Sequence, residues 1–248
     1  MIERPSPGRA LAARIGAIFL DVGGVFILPD HGEMAAALAA GGFVIDPDRL
    51  DLAHYAGIAA WDAAGSGPAD GGDMVGDPWR DYILAYLRTA GVAEDELAAA
   101  VVASRVAFRS PTLWSRPIAG SVAALPAIVA TGLPVAMVSN ADGRVEELLR
   151  RTGICQVGPG PLIAVVAVVD STVVGIEKPH PGIFEIALAA VGVEPGRAVH
   201  VGDSVRADVA GARAAGVNPV HFDPFRLCRR HDHSHLASLA ELPPLVAG

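Results

Sequence analysis

The chain has little of what marks two large classes of protein. Its 248 residues include only two cysteines, Cys155 and Cys228, which form no CxxC pair and are too few for a disulfide framework. Its net charge is -8, and it has no long basic stretch. These absences argue against a disulfide-stapled scaffold and against a nucleic-acid partner.

Long hydrophobic runs are missing as well. The longest, around residues 15–28 and 161–169, are broken by Asp21 or are far shorter than the roughly 20 residues that cross a bilayer. The N-terminal segment carries Glu3 and two prolines before any apolar run, which is unlike a secretory signal. We therefore expect a protein of the reducing cytoplasm with no membrane partner.

What the chain does have is the composition of a globular protein, with 52% hydrophobic residues and 28 glycines. Short apolar runs alternate with segments of helical spacing, and runs that are apolar on both faces suit parallel strands covered by helices on each side. This pattern predicts an α/β fold with a Rossmann-like, doubly wound parallel sheet. The predicted strands are AIFL (17–20), LPVAMV (133–138), LIAVVAVV (162–169), AVHV (198–201) and PVHF (219–222).

Residues 31 to about 115 follow a different pattern, because four helical segments succeed one another there without a strand-like run between them. We interpret this stretch as an inserted helical unit, whose glycine-rich loop at 65–78 is the clearest flexible segment of the chain. The predicted domains are a Rossmann-like core formed by residues 14–29 and 116–248, and a helical cap formed by residues 30–115.

Polar residues follow several of the predicted strands: Asp21, then Ser139 with Asn140, and Asp203, with Lys178 in a segment between strands. Ligands of open parallel sheets bind at the carboxyl ends of the strands, so these side chains are candidates for one site. Two neighbouring carboxylates repel each other unless a cation lies between them, and oxygen ligands suit Mg²⁺. The hydroxyl, the lysine and a following helix N-terminus suit a phosphoryl group that Asp21 could attack.

Four short motifs contain these residues: DVGGV from position 21, VSN up to position 140, EKP around Lys178, and GDSVRADVAGA over residues 202–212. In order and approximate spacing they resemble the four motifs of the haloacid dehalogenase-like hydrolases, and the resemblance covers nearly the whole chain. The helical insert is similar to the subclass I cap of that superfamily.

The resemblance implies a Mg²⁺ site and a covalent mechanism. Asp21 would be the nucleophile that forms an aspartyl-phosphate, and it would also be a metal ligand. Gly23 would supply its backbone carbonyl to the metal, and Asp203 would be a direct acidic ligand. Asp208 resembles the second acid of the fourth motif, which holds metal waters or the lysine.

The resemblance also implies that Ser139, Asn140 and Lys178 bind the phosphoryl oxygens. The predicted function is that of a Mg²⁺-dependent hydrolase, a phosphatase whose substrate is a small phosphorylated metabolite.

One position departs from the family pattern, because phosphatases of this family usually have a second aspartate where this chain has Gly23. Glycine offers no proton to a leaving group, and a positioned acid is typically worth about 10²- to 10⁴-fold in rate. A hydrolase of substrates with good leaving groups is one interpretation, with His31 or Asp30 as the nearest substitutes for the acid. A catalytically weak, phosphate-binding regulatory protein and a dehalogenase are the alternatives, although a dehalogenase would leave Asp203 and Asp208 unexplained.

A second group of candidate ligands is the segment HDHSH, which places His231, His233 and His235 at alternate positions. Such histidines could chelate a metal on an extended strand. No matching cysteine pair or second cluster accompanies them, so the preferred interpretation is a solvated tail segment.

Overall fold

The computed structural model describes residues 15–64 and 79–247; residue 14 and the predicted flexible loop 65–78 therefore lie outside the described part. The described residues form ten strands. They are β1 Ala17–Leu20, β2 Ile27–Pro29, β3 Trp114–Pro117, β4 Val135–Ser139, β5 Gln156–Val157, β6 Ala164–Val165, β7 Ala167–Asp170, β8 Ala198–Gly202, β9 Asn218–Phe222 and β10 Ser234–Leu236.

Six of these strands form one sheet in the order β10-β9-β8-β1-β4-β7, and all of its strand pairs are parallel. Every residue of β1, β4 and β8 is buried, as expected for central strands covered on both faces. The predicted Rossmann-like α/β fold is therefore confirmed. Because the strand order changes direction at β1, its carboxyl end lies at the position where ligands bind in such sheets.

Helices cover the sheet and also form the segment between β2 and β3. They are α1 His31–Ala40, α2 Leu50–Ala64, α3 Arg80–Thr89, α4 Leu97–Phe108, α5 Ala119–Val129, α6 Val145–Arg151, α7 Ser171–Val174, α8 Gly182–Val191, α9 Ala210–Ala214 and α10 Leu242–Val246. A π-helical turn, Val205–Val209, leads directly into α9. Among the described helices, none has both the length and the apolar character needed to cross a membrane.

The first four helices pack around a hydrophobic core of their own. Two fully buried tyrosines, Tyr82 and Tyr86, contribute to it. The antiparallel pair β2–β3 connects this helical unit, α1–α4, to the sheet. This arrangement fits the division into a core and a cap, which stays a prediction.

Two features differ from the predicted strand pattern. The run LIAVVAVV forms two strands instead of one, because β6 pairs with β5 while β7 pairs with β4. The HDHSH segment is not a solvated tail: Ser234–Leu236 is the outermost strand of the main sheet and is in register with β9. Leu236 is 4% exposed, and the burial of this side chain in the main core gives the segment a physical reason to join the sheet.

Candidate active site

Three adjacent strands bring the predicted polar residues to one edge of the sheet. Asp21 follows β1, Ser139 is the last residue of β4, and Asp203 follows β8; β1 lies between the other two strands. All three side chains are buried. The sheet topology therefore assembles these residues as the sequence pattern predicted.

Lys178, the only lysine of the chain, is buried between two of the acids. Its Nζ lies 2.9 Å from Asp21 Oδ2 and 2.6 Å from Asp208 Oδ1. Asp208 Oδ1 also accepts a hydrogen bond of 2.8 Å from His200 Nε2, and its Oδ2 accepts one of 3.0 Å from the Ser204 backbone N–H. Three donors therefore hold Asp208, and the contact with Lys178 matches one of its two predicted roles.

Asp21, Asp203 and Asp208 form what we term the acidic cluster, in which one carboxylate oxygen from each residue lies within 4.8 Å of the others. Burial raises the pKa of Asp21 to about 7, although the charge of Lys178 opposes the shift. Burial also raises the pKa of Asp203 well above its usual range, with the Asp208 carboxylate adding to the effect. For Asp208, burial opposes ionisation, but Lys178 and His200 together hold its pKa below the usual range.

Buried carboxylates of this kind are oxygen donors that suit a hard divalent cation. A cation among them would favour their ionised forms, which burial disfavours. The residues present therefore fit a Mg²⁺ ion, held by the carboxylates of the acidic cluster.

The two glycines after Asp21 differ in the space around them. Gly24 has a φ of +67°, and a Cβ atom there would lie 1.8 Å from Asp203 Oδ2. A Cβ atom on Gly23 would approach only the Trp114 ring, at 3.8 Å. Glycine is thus required at position 24 by geometry, whereas position 23 has room for a side chain.

Asn140 does not direct its side chain toward a ligand. Its Oδ1 accepts a 2.7 Å hydrogen bond from the Lys178 backbone N–H, and its Nδ2 donates a 2.9 Å bond to the Lys178 carbonyl. The amide therefore fixes the backbone of the lysine, so any contact of Asn140 with a phosphoryl group would have to come from its main chain.

His54 on α2 contacts the acidic cluster, although nothing in its sequence context identified it. Its Nε2 is hydrogen bonded to Asp203 Oδ2 at 3.0 Å, and its Nδ1 lies 3.0 Å from the Tyr82 hydroxyl. Burial lowers the pKa of His54 to about 3, so the ring is neutral at physiological pH. The next residue, Tyr55, donates a 2.7 Å hydrogen bond from its hydroxyl to the Gly24 carbonyl. Both residues lie on the buried face of α2. A buried polar pair on this helix is the signal that could have suggested a contact with the sheet.

A third contact from α2 reaches the segment after β8. Asp62 accepts hydrogen bonds from Ser204 Oγ at 2.7 Å and from the backbone N–H groups of Val205 and Arg206 at 2.7 and 2.9 Å. An acid at the N-terminus of a helix is stabilised by the unpaired N–H groups there. The helical unit is therefore held against the fourth motif at two sites, His54 and Asp62.

The two residues suggested as substitutes for the missing acid have other partners. His31 Nε2 lies 2.8 Å from Asp51 Oδ1, and Asp30 caps α1 by accepting a bond from the Glu33 backbone N–H. Two described histidines hydrogen bond through their rings to acids of the cluster, His54 to Asp203 and His200 to Asp208.

A cavity of about 310 Å³ lies between α2 and the ends of β8 and β9. Its lining includes Tyr55, Asp62, Asp203, His221 and Arg230. Pockets for small metabolites begin at about this size. The cavity reaches the acidic cluster on its Asp203 side.

Comparison with known proteins identifies the family. The model of the haloacid dehalogenase-like hydrolases matches residues 15–216. The chain belongs to this family. The predicted membership is thereby confirmed, while the subclass of the cap stays a prediction.

Named phosphatases are among the relatives of this hydrolase. Haloacid dehalogenase-like hydrolase domain-containing protein 3 of Bos taurus is 33% identical over 176 residues, which cover 68% of this chain and 66% of the relative. The phosphoserine phosphatase of Thermus thermophilus is 42% identical over 92 residues, 37% of this chain and 34% of that protein. The aligned part of this chain thus spans from about a third to about two thirds of the length of these relatives.

A solved structure shows the same fold. The crystal structure of a HAD phosphatase from Thermococcus onnurineus superimposes with a TM-score of 0.56 at 20% identity, over 94% of this chain and 99% of that chain. The match covers the helical unit as well as the sheet, because it extends over nearly all of both chains.

Proposed function

We propose that this hydrolase is a phosphatase that acts on small phosphorylated metabolites with good leaving groups. The observation that carries the proposal is the contact of Lys178 Nζ with Asp21 Oδ2, at 2.9 Å, beside two further buried acids. Phosphoryl transfer requires that the reacting groups are positioned and that negative charge is neutralised. Lys178, together with acids that can bind a metal ion, would supply both beside the Asp21 carboxylate.

In the proposed reaction, Asp21 attacks the phosphorus atom and forms an aspartyl-phosphate while the leaving oxygen departs. Ser139 and Lys178 bind the phosphoryl oxygens, and water then hydrolyses the aspartyl-phosphate. Asp208 holds the ammonium group of Lys178 in place through its 2.6 Å contact.

A Mg²⁺ ion, when bound, would neutralise charge on the transferring phosphoryl group. Asp21, Asp203 and the Gly23 carbonyl are the proposed ligands, with Asp208 beside them. Asp203 is already held by His54 and by its place after β8, so its orientation is set by the protein.

The preference for good leaving groups follows from Gly23 and His54. Glycine supplies no proton, and His54 is neutral because burial lowers its pKa to about 3. An acyl, aryl or anomeric phosphate needs less protonation of its leaving oxygen than an alkyl phosphate does. The proposed substrates therefore belong to the first group.

Release of phosphate from an aryl phosphate and an acyl phosphate tests the proposal, with Mg²⁺ or with a chelator. We expect metal-dependent turnover that falls by about 10⁴-fold or more in Asp21→Asn, which keeps the shape and removes the nucleophile. Asp48→Asn, an exposed aspartate in the turn Pro47–Arg49, is the matched control and should keep full activity.

Two results would contradict the proposal. Full activity in Asp21→Asn would exclude the covalent mechanism. No turnover by the unaltered protein, with inorganic phosphate still binding in the presence of Mg²⁺, would favour the phosphate-binding regulatory alternative.

A further inference from the structure

A second group of metal-ligating side chains lies at the edge of the sheet that β9 and β10 form. His221 on β9, Cys228 and His233 in the connection to β10, and His235 on β10 form what we term the histidine–cysteine cluster. One ligand atom from each of the four residues lies within 4.8 Å of the others. None of the four belongs to the proposed phosphatase machinery, so the inference is independent of the proposed function.

Two of the imidazoles face each other through nitrogens that a cation or a proton would satisfy. His221 Nε2 must donate its 2.9 Å hydrogen bond, because its partner is the Asp203 carbonyl oxygen. His233 Nδ1 lies 3.0 Å from the Asp232 carboxylate and donates in the same way. In the neutral rings the remaining nitrogens, His221 Nδ1 and His233 Nε2, carry lone pairs, and these atoms are only 3.3 Å apart.

The third imidazole also has a nitrogen without a partner. His235 Nδ1 faces the Asp223 carboxylate at 3.7 Å, while His235 Nε2 is buried and makes no hydrogen bond to the protein. A buried ring nitrogen without a partner is costly. Each of the three histidines thus has one nitrogen near a carboxylate or carbonyl oxygen, while its other nitrogen has no oxygen partner and either contacts a member of the cluster or makes no hydrogen bond. Histidine ligands in metal sites have one nitrogen held by an oxygen in this way.

The thiol is positioned by the same aspartate. Asp223 accepts hydrogen bonds from the Leu227 and Cys228 backbone N–H groups at 2.8 and 3.0 Å, which fixes the turn that carries Cys228. Its Sγ lies 3.8 Å from His233 Nε2. Asp223 therefore lies next to two of the four candidate ligands.

Two of the distances between candidate ligand atoms are close to those around a tetrahedral zinc ion. Zn–N bonds of about 2.0–2.1 Å and Zn–S bonds of about 2.3 Å place tetrahedral ligand atoms about 3.3 Å apart for two nitrogens and about 3.6 Å apart for nitrogen and sulfur. The observed separations are 3.3 and 3.8 Å. We propose that the histidine–cysteine cluster is a structural Zn²⁺ site with four protein ligands, His221, Cys228, His233 and His235.

Such an ion would bind the connection after β9 to the last two strands on this side of the sheet, β9 and β10. It would also fix the wall of the cavity, which His221 and Cys228 both line. Through the bond from His221 Nε2 to the Asp203 carbonyl, the site would support the backbone of a residue in the acidic cluster.

Cobalt substitution tests the site on the full chain, after a chelator has removed bound metal. Co²⁺ is added with excess Mg²⁺ to keep it from the acidic cluster, and absorption is recorded. We expect one equivalent of Co²⁺ to give intense visible bands of tetrahedral cobalt and a thiolate charge-transfer band, and Zn²⁺ to displace it. Cys228→Ser should lose the charge-transfer band, and His235→Gln should weaken Co²⁺ binding by at least about tenfold.

Matched controls are present in the same chain. His231→Gln alters the one histidine of the HDHSH segment that is outside the cluster, and Cys155→Ser alters the other, buried thiol; neither should change the spectrum. Absence of a thiolate band in the unaltered protein, or persistence of that band in Cys228→Ser, would overturn the proposal. Equal losses in His231→Gln and His235→Gln would do so as well.

Discussion

The acidic cluster and the histidine–cysteine cluster meet at the neighbouring strands β8 and β9, where His221 hydrogen bonds to the Asp203 carbonyl. Their side chains nevertheless differ in the partners that the protein itself provides. In the acidic cluster, Lys178 and His54 give the carboxylates hydrogen-bonding partners from within the protein. In the histidine–cysteine cluster, His235 Nε2 has no partner, and two lone pairs face each other at 3.3 Å.

This difference shows which kind of cluster calls for a bound ion. A group of acids does not by itself require a metal, because a buried lysine can neutralise part of its charge. Imidazoles whose outer nitrogens already donate to oxygen acceptors have only lone pairs to present inward, and only a cation or a proton can satisfy those.

The largest expected effect comes from removing the internal cation of the acidic cluster. In Lys178→Met, Asp21 and Asp208 lose the ammonium group that they share, and breaking a buried pair in this way costs about 3–5 kcal/mol. Urea denaturation of the metal-free protein at neutral pH should show this loss in the free energy of unfolding.

Arg144→Met is the control for that measurement, since Arg144 forms an ion pair with Asp142 on the surface. Exposed pairs contribute little, so the control should unfold like the unaltered protein. Equal stabilities of Lys178→Met and the control would show that the acidic cluster does not depend on its lysine.

The next largest effect is a difference in stability between substitutions at Gly24 and at Gly23, the two glycines beside the acidic cluster. Gly24→Ala places a methyl group on Asp203 Oδ2 at a positive φ, and strain of this kind costs about 1–3 kcal/mol. Gly23→Ala meets only Trp114 and should be neutral. Thermal unfolding of both variants, with Mg²⁺ binding measured by calorimetry, checks the pair, and similar behaviour of the two would contradict the difference in space.

A smaller effect, of the opposite sign, is expected from Gly23→Asp. The site has room for this side chain, and a carboxylic acid there could protonate the leaving oxygen, so turnover of an alkyl phosphate should rise by about tenfold or more. Turnover of an aryl phosphate should change much less, because it needs no acid. A ratio of the two rates that stays unchanged would mean that protonation does not limit the reaction.

The smallest effect is a dependence of metal binding on pH. Burial raises the pKa of Asp21 to about 7, above its value in the unfolded chain, so the folded metal-free protein loses stability as the pH rises toward 7. Mg²⁺ replaces the proton, and the increase in Tm that it causes should therefore grow between about pH 6 and pH 8. The measurement is made in a Cys228→Ser background, and an increase that is independent of pH would contradict the raised pKa.

Local patterns were enough to predict most of the sheet and the residues at its edge. Asp21, Ser139 and Asp203 each follow an apolar run, and a parallel sheet brings the ends of such runs together whatever lies between them. The segment between the strands supplied Lys178, and family resemblance added Asp208. The contact of these two residues in the structure is consistent with that assignment.

The remaining contacts depend on packing that no local pattern encodes. His54 is 149 positions from Asp203, and only the docking of α2 brings the two together. The HDHSH segment by itself contains only part of the histidine–cysteine cluster, so the local pattern favoured a solvated tail. Its other ligands, His221 and Cys228, come from β9 and the turn after it, and they join the segment only because β10 pairs with β9.

The position of α2 has a kinetic consequence. His54, Tyr55 and Asp62 attach this one helix to the edge of the sheet, and Asp21 beneath is 6% exposed. If Asp21 acts as proposed, we expect a substrate to reach it when α2 moves away from the sheet, a movement that would also expose Asp203 and the turn Val205–Val209 to water. Closing motions of this kind take microseconds to milliseconds in enzymes, so we expect the opening of α2 to set an upper limit on turnover.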